Sequence, residues 1–252
     1  MKLFKQLAIM LGIVSLTSTS SFAIQKVKIM TENYPPYNYP GEDKKPEGFA
    51  VDLLKKVLKT INAPQSESDI KVLPWPRAYS FVQKPGEKNM LFSMTRTEER
   101  EALFKWVGPI TKTKIAVFAT KDSQVSISNA SELKQYKFAV VRGGISSILL
   151  GSSGVPSSNI KAVNKFDLIP RMIDRKRADL FVYEQNSAVD TMKRAGMDPS
   201  KYKSIFVLKE GELYYAFNLS VNEETIKAYQ DGLDKVKQDS EFMNKITDQF
   251  LK

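Results

Sequence analysis

Asn89-Met90-Leu91-Phe92-Ser93-Met94-Thr95-Arg96-Thr97-Glu98-Glu99-Arg100 contains one structural unit in a single stretch. Asn89 to Ser93 is a short apolar run of strand length. Thr95 onward opens a helix rich in Glu98, Glu99 and Glu101, and the positive end of a helix dipole favours acids in its first turn. A strand, a polar connection and a helix in that order are the repeating element of an α/β sheet.

The same unit recurs on both sides. Upstream, Val27 to Met30 reads as a strand that runs into Thr31-Glu32-Asn33-Tyr34-Pro35-Pro36-Tyr37. Two consecutive prolines stop sheet and helix alike, so this segment is a rigid loop presenting aromatic rings. After a polar turn at Gly41 to Pro46, Val51, Leu54, Val57, Leu58 and Ile61 fall at helical spacing and predict a helix over Phe49 to Asn62. Ile70 to Leu73 is a strand. Pro76 then suits the first turn of a helix running to about Val82.

Downstream, Lys114 to Ala119 is a strand with no helix before it, the mark of a crossing into another lobe. A second series follows: strands at Phe138 to Val141, Ile160 to Val163 and Leu180 to Tyr183, with helices at Ser146 to Leu150, Phe166 to Asp174 and Gln185 to Ala195. Tyr214 to Leu219 reads as a returning strand, and helices at Glu223 to Lys237 and Glu241 to Leu251 close the chain. The expected fold is α/β, with two lobes that are each a mostly parallel sheet flanked by helices. Residues 24–112 and 212–252 form the first lobe and 113–211 the second. Crossing strands near Lys114 to Ala119 and Leu208 to Phe217 act as the hinge.

Composition removes much chemistry. The 252 residues contain neither Cys nor His. That excludes disulfides, the common zinc sites, Cys nucleophiles and His-based triads. The net charge is +10. The Lys residues are scattered along the chain, so the balance reads as a solvated basic surface and not as a nucleic-acid footprint. Lys2 and Lys5, the apolar core Leu7 to Leu16 and the ending Ser21-Phe22-Ala23 have the form of a signal peptide cut after Ala23. The core is too short to span a bilayer as a helix. No Cys follows it for lipid attachment, so the expectation is a periplasmic protein, active as a monomer.

In open α/β sheets ligands sit beyond the carboxyl ends of the strands. The groups placed there are Tyr34; Trp75 and Arg77; Ser93, Thr95, Arg96 and Arg100; Arg142, Gly143, Gly144 and Ser146; and Glu184. Aromatic faces, hydroxyls, guanidinium groups and one carboxylate suit a zwitterion or a polar anion. Arg100 has a blander alternative in an ion pair with a neighbouring Glu on its helix. Arg77 and Arg96 have one in plain solvation, and Tyr34 in loop packing.

Four segments together resemble the extracellular solute-binding proteins of family 3, the type II periplasmic binding proteins of polar amino-acid uptake. They are Tyr34-Pro35-Pro36-Tyr37, Gly48-Phe49-Ala50-Val51-Asp52-Leu53, the Ser93 to Arg100 stretch, and Arg177-Ala178-Asp179-Leu180 leading to Glu184. The resemblance covers residues 26–251 and implies roles. Arg100 matches the arginine that pairs with a ligand α-carboxylate, and its planar fork suits two oxygens. Ser93 and Thr95 match hydrogen-bonding positions beside it. Tyr34 matches the ring over the ligand, and Glu184 matches the acid that receives the α-amino group. Relatives often carry Gly-Thr-Thr where this chain has Gly143-Gly144-Ile145. The Gly144 N–H or the Ser146 hydroxyl is expected to serve instead.

The function so implied is capture of a small polar solute, an amino acid or a relative of one, for an ABC importer and its membrane permease, with no cofactor. A sensor acting on a membrane receptor is one alternative. A dehydratase of the cyclohexadienyl type is another, with Glu184 as proton donor. The arginines argue against the enzyme, because they are expected to hold Glu184 ionised and unable to donate.

Overall fold

The computed structural model describes residues 24–251. The proposed signal peptide, residues 1–23, lies outside the described residues. In chain order the elements are β1 (Lys28–Thr31), β2 (Tyr39–Pro40), β3 (Pro46–Glu47), α1 (Phe49–Thr60), β4 (Ile70–Val72), α2 (Trp75–Val82), β5 (Asn89–Thr95), α3 (Glu98–Glu101), β6 (Lys105–Val107) and β7 (Lys112–Thr120). They continue as β8 (Phe138–Val141), α4 (Ile145–Ser152), β9 (Ile160–Val163), α5 (Leu168–Asp174), β10 (Leu180–Glu184), α6 (Gln185–Arg194), β11 (Tyr202–Phe217), α7 (Glu223–Lys237) and α8 (Ser240–Phe250).

Two parallel ladders form the framework. β1 lies between β4 and β5, parallel to both. β8 lies between β9 and β10, again parallel to both. β11 joins the two. Its first part runs antiparallel to β7, and its last residues run antiparallel to β5 and β6. The strand order is β4-β1-β5-β11-β7-β10-β8-β9, so hydrogen bonding is continuous along β11 while the two parallel ladders stay apart.

β11 is far longer than the sequence reading. The sequence places a strand at Tyr214 to Leu219 and the crossing near Leu208 to Phe217, and the element begins at Tyr202. Register shifts between Ser204 and Phe206 and between Val207 and Lys209 explain the difference. Bulges break the alternation of a half-buried strand, and here exposure recurs every third residue, at Ser204, Val207 and Glu210. A test for period two finds nothing in such a segment. β6 also escaped, being three residues long. The predicted helix after Thr95 is a single turn, α3.

Helix α1 shows how local sequence fixes its place. Phe49, Ala50, Val51, Leu53, Leu54, Val57 and Leu58 are all buried. They pack it against α7 and α8, which brings the chain's end back to the first ladder. Gly48 opens the helix at φ 122°, and a Cβ there would sit 2.5 Å from the Tyr37 carbonyl oxygen. Only glycine tolerates that position. The consequence is functional, because the close approach of Gly48 fixes the loop that carries Tyr34. In the other half, Ile115, Val117, Phe138, Val140, Leu180 and Val182 form a second buried cluster of their own.

Candidate functional site

The carboxyl ends of the two parallel ladders face each other across a cleft with about 400 Å³ of empty space, its open mouth included. From the first ladder's side it is lined by Glu32, Tyr34, Trp75, Ser93, Thr95 and Arg100. The facing wall includes Val141, Gly144, Ser146, Tyr183 and Glu184.

Arg100 sits in α3, the single turn that follows β5, and is 1 % exposed. Its guanidinium lies 5.3 Å from the Trp75 ring centroid and 5.2 Å from that of Tyr79. One nitrogen donates to the Thr95 carbonyl at 3.1 Å, and another reaches across the cleft to the Gly143 carbonyl at 3.2 Å. Nε is buried with no partner. Burial pulls this guanidinium below its ordinary pKa, while Tyr79, Glu32 and Glu99 hold it up. Arginine keeps its charge regardless. A buried cation with unused donors facing a cavity is a binding group for an anion.

Ser93 lies inside β5 in the left-handed region at φ 62°, buried, with a hydroxyl that has no partner. Non-glycine residues held there are strained by about 1–3 kcal/mol, and such strain clusters at binding sites. Trp75 is buried at the start of α2, and its indole N–H donates to the same Gly143 carbonyl at 2.9 Å. Tyr34 is buried with its ring edge-on to Tyr183, centroids 5.4 Å apart.

Glu184 ends β10 and caps α6. One of its carboxylate oxygens accepts from the Ser187 N–H at 2.7 Å, and the other from the Lys114 N–H at 3.4 Å. Burial pushes its carboxyl up, against the pull of the backbone N–H groups of Ser187, Asn186 and Lys114.

Several expectations need correction. Arg77 is exposed and lies over Phe81 at 5.3 Å. Two steps along a helix turn by about 200°, so Arg77 points away from the side that Trp75 gives to the cleft. Arg96 is bound to Glu101, Nε to Oε2 at 2.7 Å, with Trp106 and Tyr214 beneath it. Arg142 is exposed on Asn164 and the Ala162 carbonyl. None of the three lines the cleft, so the ground on which the arginines were expected to hold Glu184 ionised is withdrawn. Gly144 does line the cavity, but its N–H donates to the Val141 carbonyl at 3.1 Å in the turn. The Ser146 hydroxyl donates to the Val182 carbonyl at 2.8 Å. At the start of α4 the Ser147 N–H donates to the Gly144 carbonyl at 3.1 Å, and the N–H groups of Ile145 and Ser146 have no partner within the helix.

Glu32, Tyr183, Val141 and Ile145 line the cleft without having been singled out from the sequence. The strand-end rule that found Tyr34 applies equally to Glu32, the residue directly after β1. Burial pushes its carboxyl up to about 8, with the Arg100 charge pulling it back.

Residues 27–252 match the model of the bacterial extracellular solute-binding proteins, family 3. The chain is 22 % identical over 218 residues to the L-cystine-binding protein TcyJ of Escherichia coli K12, covering 82 % of this chain and 75 % of that one. A histidine kinase sensor domain similar to periplasmic binding proteins superposes with a TM-score of 0.75 at 17 % identity, over 90 % of this chain and 97 % of the other. The arginine-, lysine-, histidine-binding protein ArtJ of Geobacillus stearothermophilus does so with a TM-score of 0.73 at 19 % identity, over 89 % and 95 %. The fold is that of the type II periplasmic binding proteins.

Proposed function

The chain belongs to the bacterial extracellular solute-binding proteins, family 3, and from that membership we propose that it captures an α-amino acid, or a close relative of one, between two lobes. The lobes are residues 24–112 with 212–252, and residues 113–211, closing about β7 and β11. Arg100 takes the α-carboxylate, aided by Ser93 and Thr95. Glu184 takes the α-ammonium, and Tyr34 and Trp75 cover the ligand. The loaded protein hands its solute to the permease of an ABC importer, working as a periplasmic monomer after cleavage at Ala23.

One observation carries this reading: a buried guanidinium and a buried carboxylate from the two facing walls line the same cavity. Neither wall alone satisfies a zwitterion, so binding favours closure. The relatives support the ligand class, since TcyJ is named for L-cystine and ArtJ for arginine, lysine and histidine. Among the described residues no helix is long and apolar enough to cross a membrane.

A thermal-shift panel of amino acids, dipeptides, polyamines and organic acids tests the proposal on the protein lacking residues 1–23. A binder at 100 times its dissociation constant stabilises by about 2.7 kcal/mol. A panel in which organic acids shift the transition and no amino acid does so overturns it.

A further inference from the structure

The cleft continues past the cavity just described. A second hollow of about 760 Å³, open at its mouth, is walled by Val72, Leu73, Pro74 and Phe166. Glu32, Trp75, Val141 and Tyr183 line both spaces, so the two are contiguous and Glu32 stands at their junction.

Glu32 is the group the proposed function leaves unused. The headgroup of an α-amino acid presents one carboxylate and one ammonium, which Arg100 and Glu184 satisfy. The Glu32 carboxyl makes no hydrogen bond or ion pair among the described residues. Its backbone carbonyl accepts from the Asn38 side chain at 2.8 Å, which holds the loop in place. Arg100 acts on the Glu32 carboxyl only through its field, and a carboxyl group in a cleft with no hydrogen-bond partner is matched by a donor on the ligand.

Building on that reading, we propose that the ligand is an α-amino acid with a basic side chain, whose ammonium or guanidinium group runs past Trp75 and Tyr183 and pairs with Glu32. The rings of Tyr34, Trp75 and Tyr183 add aromatic surface that attracts a cation. An acidic side chain is disfavoured, since two carboxylates sharing one site cannot both ionise readily.

The net charge of +10 opposes a cationic ligand at a distance. That field is screened beyond about 8 Å at physiological salt. Contact with a carboxylate in a desolvated cleft is screened far less, so the local pair decides.

The pairing has a proton signature. The charged and titratable groups around Glu32 are Arg100, Tyr34 and Tyr183, with Glu184 in the same cavity and Lys165 and Asp167 on the exposed wall of the second hollow. Burial, which pushes the Glu32 carboxyl up to about 8, leaves it mostly neutral at pH 7. A ligand cation binds the ionised form, so binding releases a proton. Affinity for a basic amino acid then rises with pH, by up to about tenfold per unit, below the Glu32 pKa and levels off above it.

Calorimetric titration compares L-arginine with L-citrulline, its neutral isostere, and L-lysine with L-norleucine. L-arginine or L-lysine is expected to bind about 30-fold or more tighter than its neutral counterpart. Glu32→Gln is expected to reduce that ratio to a few-fold and to remove the pH dependence that the basic amino acids show beyond their neutral counterparts. Circular dichroism confirms that the variant folds. Neutral amino acids that bind as well as basic ones, with both lost in Arg100→Ala, would overturn this inference and leave the amino-acid site standing. Failure of all four amino acids to bind while another amino acid of the thermal-shift panel does would overturn this inference alone, and a panel in which no amino acid binds would overturn both.

Discussion

Replacing Arg100 by alanine removes the anchor on which the proposed binding mode depends. The guanidinium has five N–H donors. The structure commits two groups to the carbonyls of Thr95 and Gly143 and leaves Nε–H buried without a partner. The donors that remain serve the ligand carboxylate, which in Arg100→Ala is desolvated with nothing opposite. Such a loss costs about 2–5 kcal/mol, or roughly 30- to 5,000-fold in affinity. Arg100→Lys should fall between wild type and alanine. It keeps the charge but loses the fork and the stacking on Trp75 and Tyr79. Glu184→Gln should cost less than Arg100→Ala, because the amide oxygen still accepts one hydrogen bond. The double variant should lose less than the sum of the two, since each change weakens the closed state that both residues require. Isothermal titration with the amino acid selected by thermal shift measures the four variants beside the wild type, and circular dichroism checks that each is folded. A folded Arg100→Ala with unchanged affinity would refute the reasoning.

Trp75→Phe removes one of the two donors that bind the Gly143 carbonyl across the cleft. One net hydrogen bond is worth about 0.5–1.5 kcal/mol, so the open-to-closed ratio should rise about 2- to 12-fold. Small-angle scattering of the ligand-free variant should show a larger radius of gyration, and an unchanged radius contradicts a role for this hydrogen bond in holding the cleft closed. Gly48→Ala forces a side chain into the left-handed region against the Tyr37 carbonyl. It should cost about 1–3 kcal/mol and lower the melting temperature by about 2–12 °C, as calorimetry would record. Prephenate or arogenate incubated with the protein should stay unconverted. Release of an aromatic product that disappears in Glu184→Gln would install the dehydratase reading instead.

Most elements were legible because they are written in local periodicity. β8 and β9 run from Phe138 to Val141 and from Ile160 to Val163, as read from the sequence, and α7 runs from Glu223 to Lys237 as read. Each rests on apolar spacing or on cap residues that act within a few positions. β11 was not legible over its first half, because bulges replaced the period the reading relied on. Glu32 could have been found by the rule that found Tyr34, but a lone acid in a loop carries no sign that its partners are missing.

The sequence by itself determined the order of strands and helices, the removal of Cys and His chemistry, and the set of loops from which a site is drawn. Tertiary structure decided which members of that set face the cavity. Composition does not distinguish Arg100, Arg96, Arg77 and Arg142; the resemblance pointed to Arg100, and of the four only Arg100 lines the cleft. Its surroundings come from afar. The Gly143 carbonyl that accepts from both Arg100 and Trp75 lies 43 and 68 residues away along the chain. The Gly144 N–H and the Ser146 hydroxyl were spent on carbonyls that only the folded turn and sheet bring within reach. Periodicity is a property of neighbours in sequence, whereas burial, orientation and the state of a donor are set by neighbours in space.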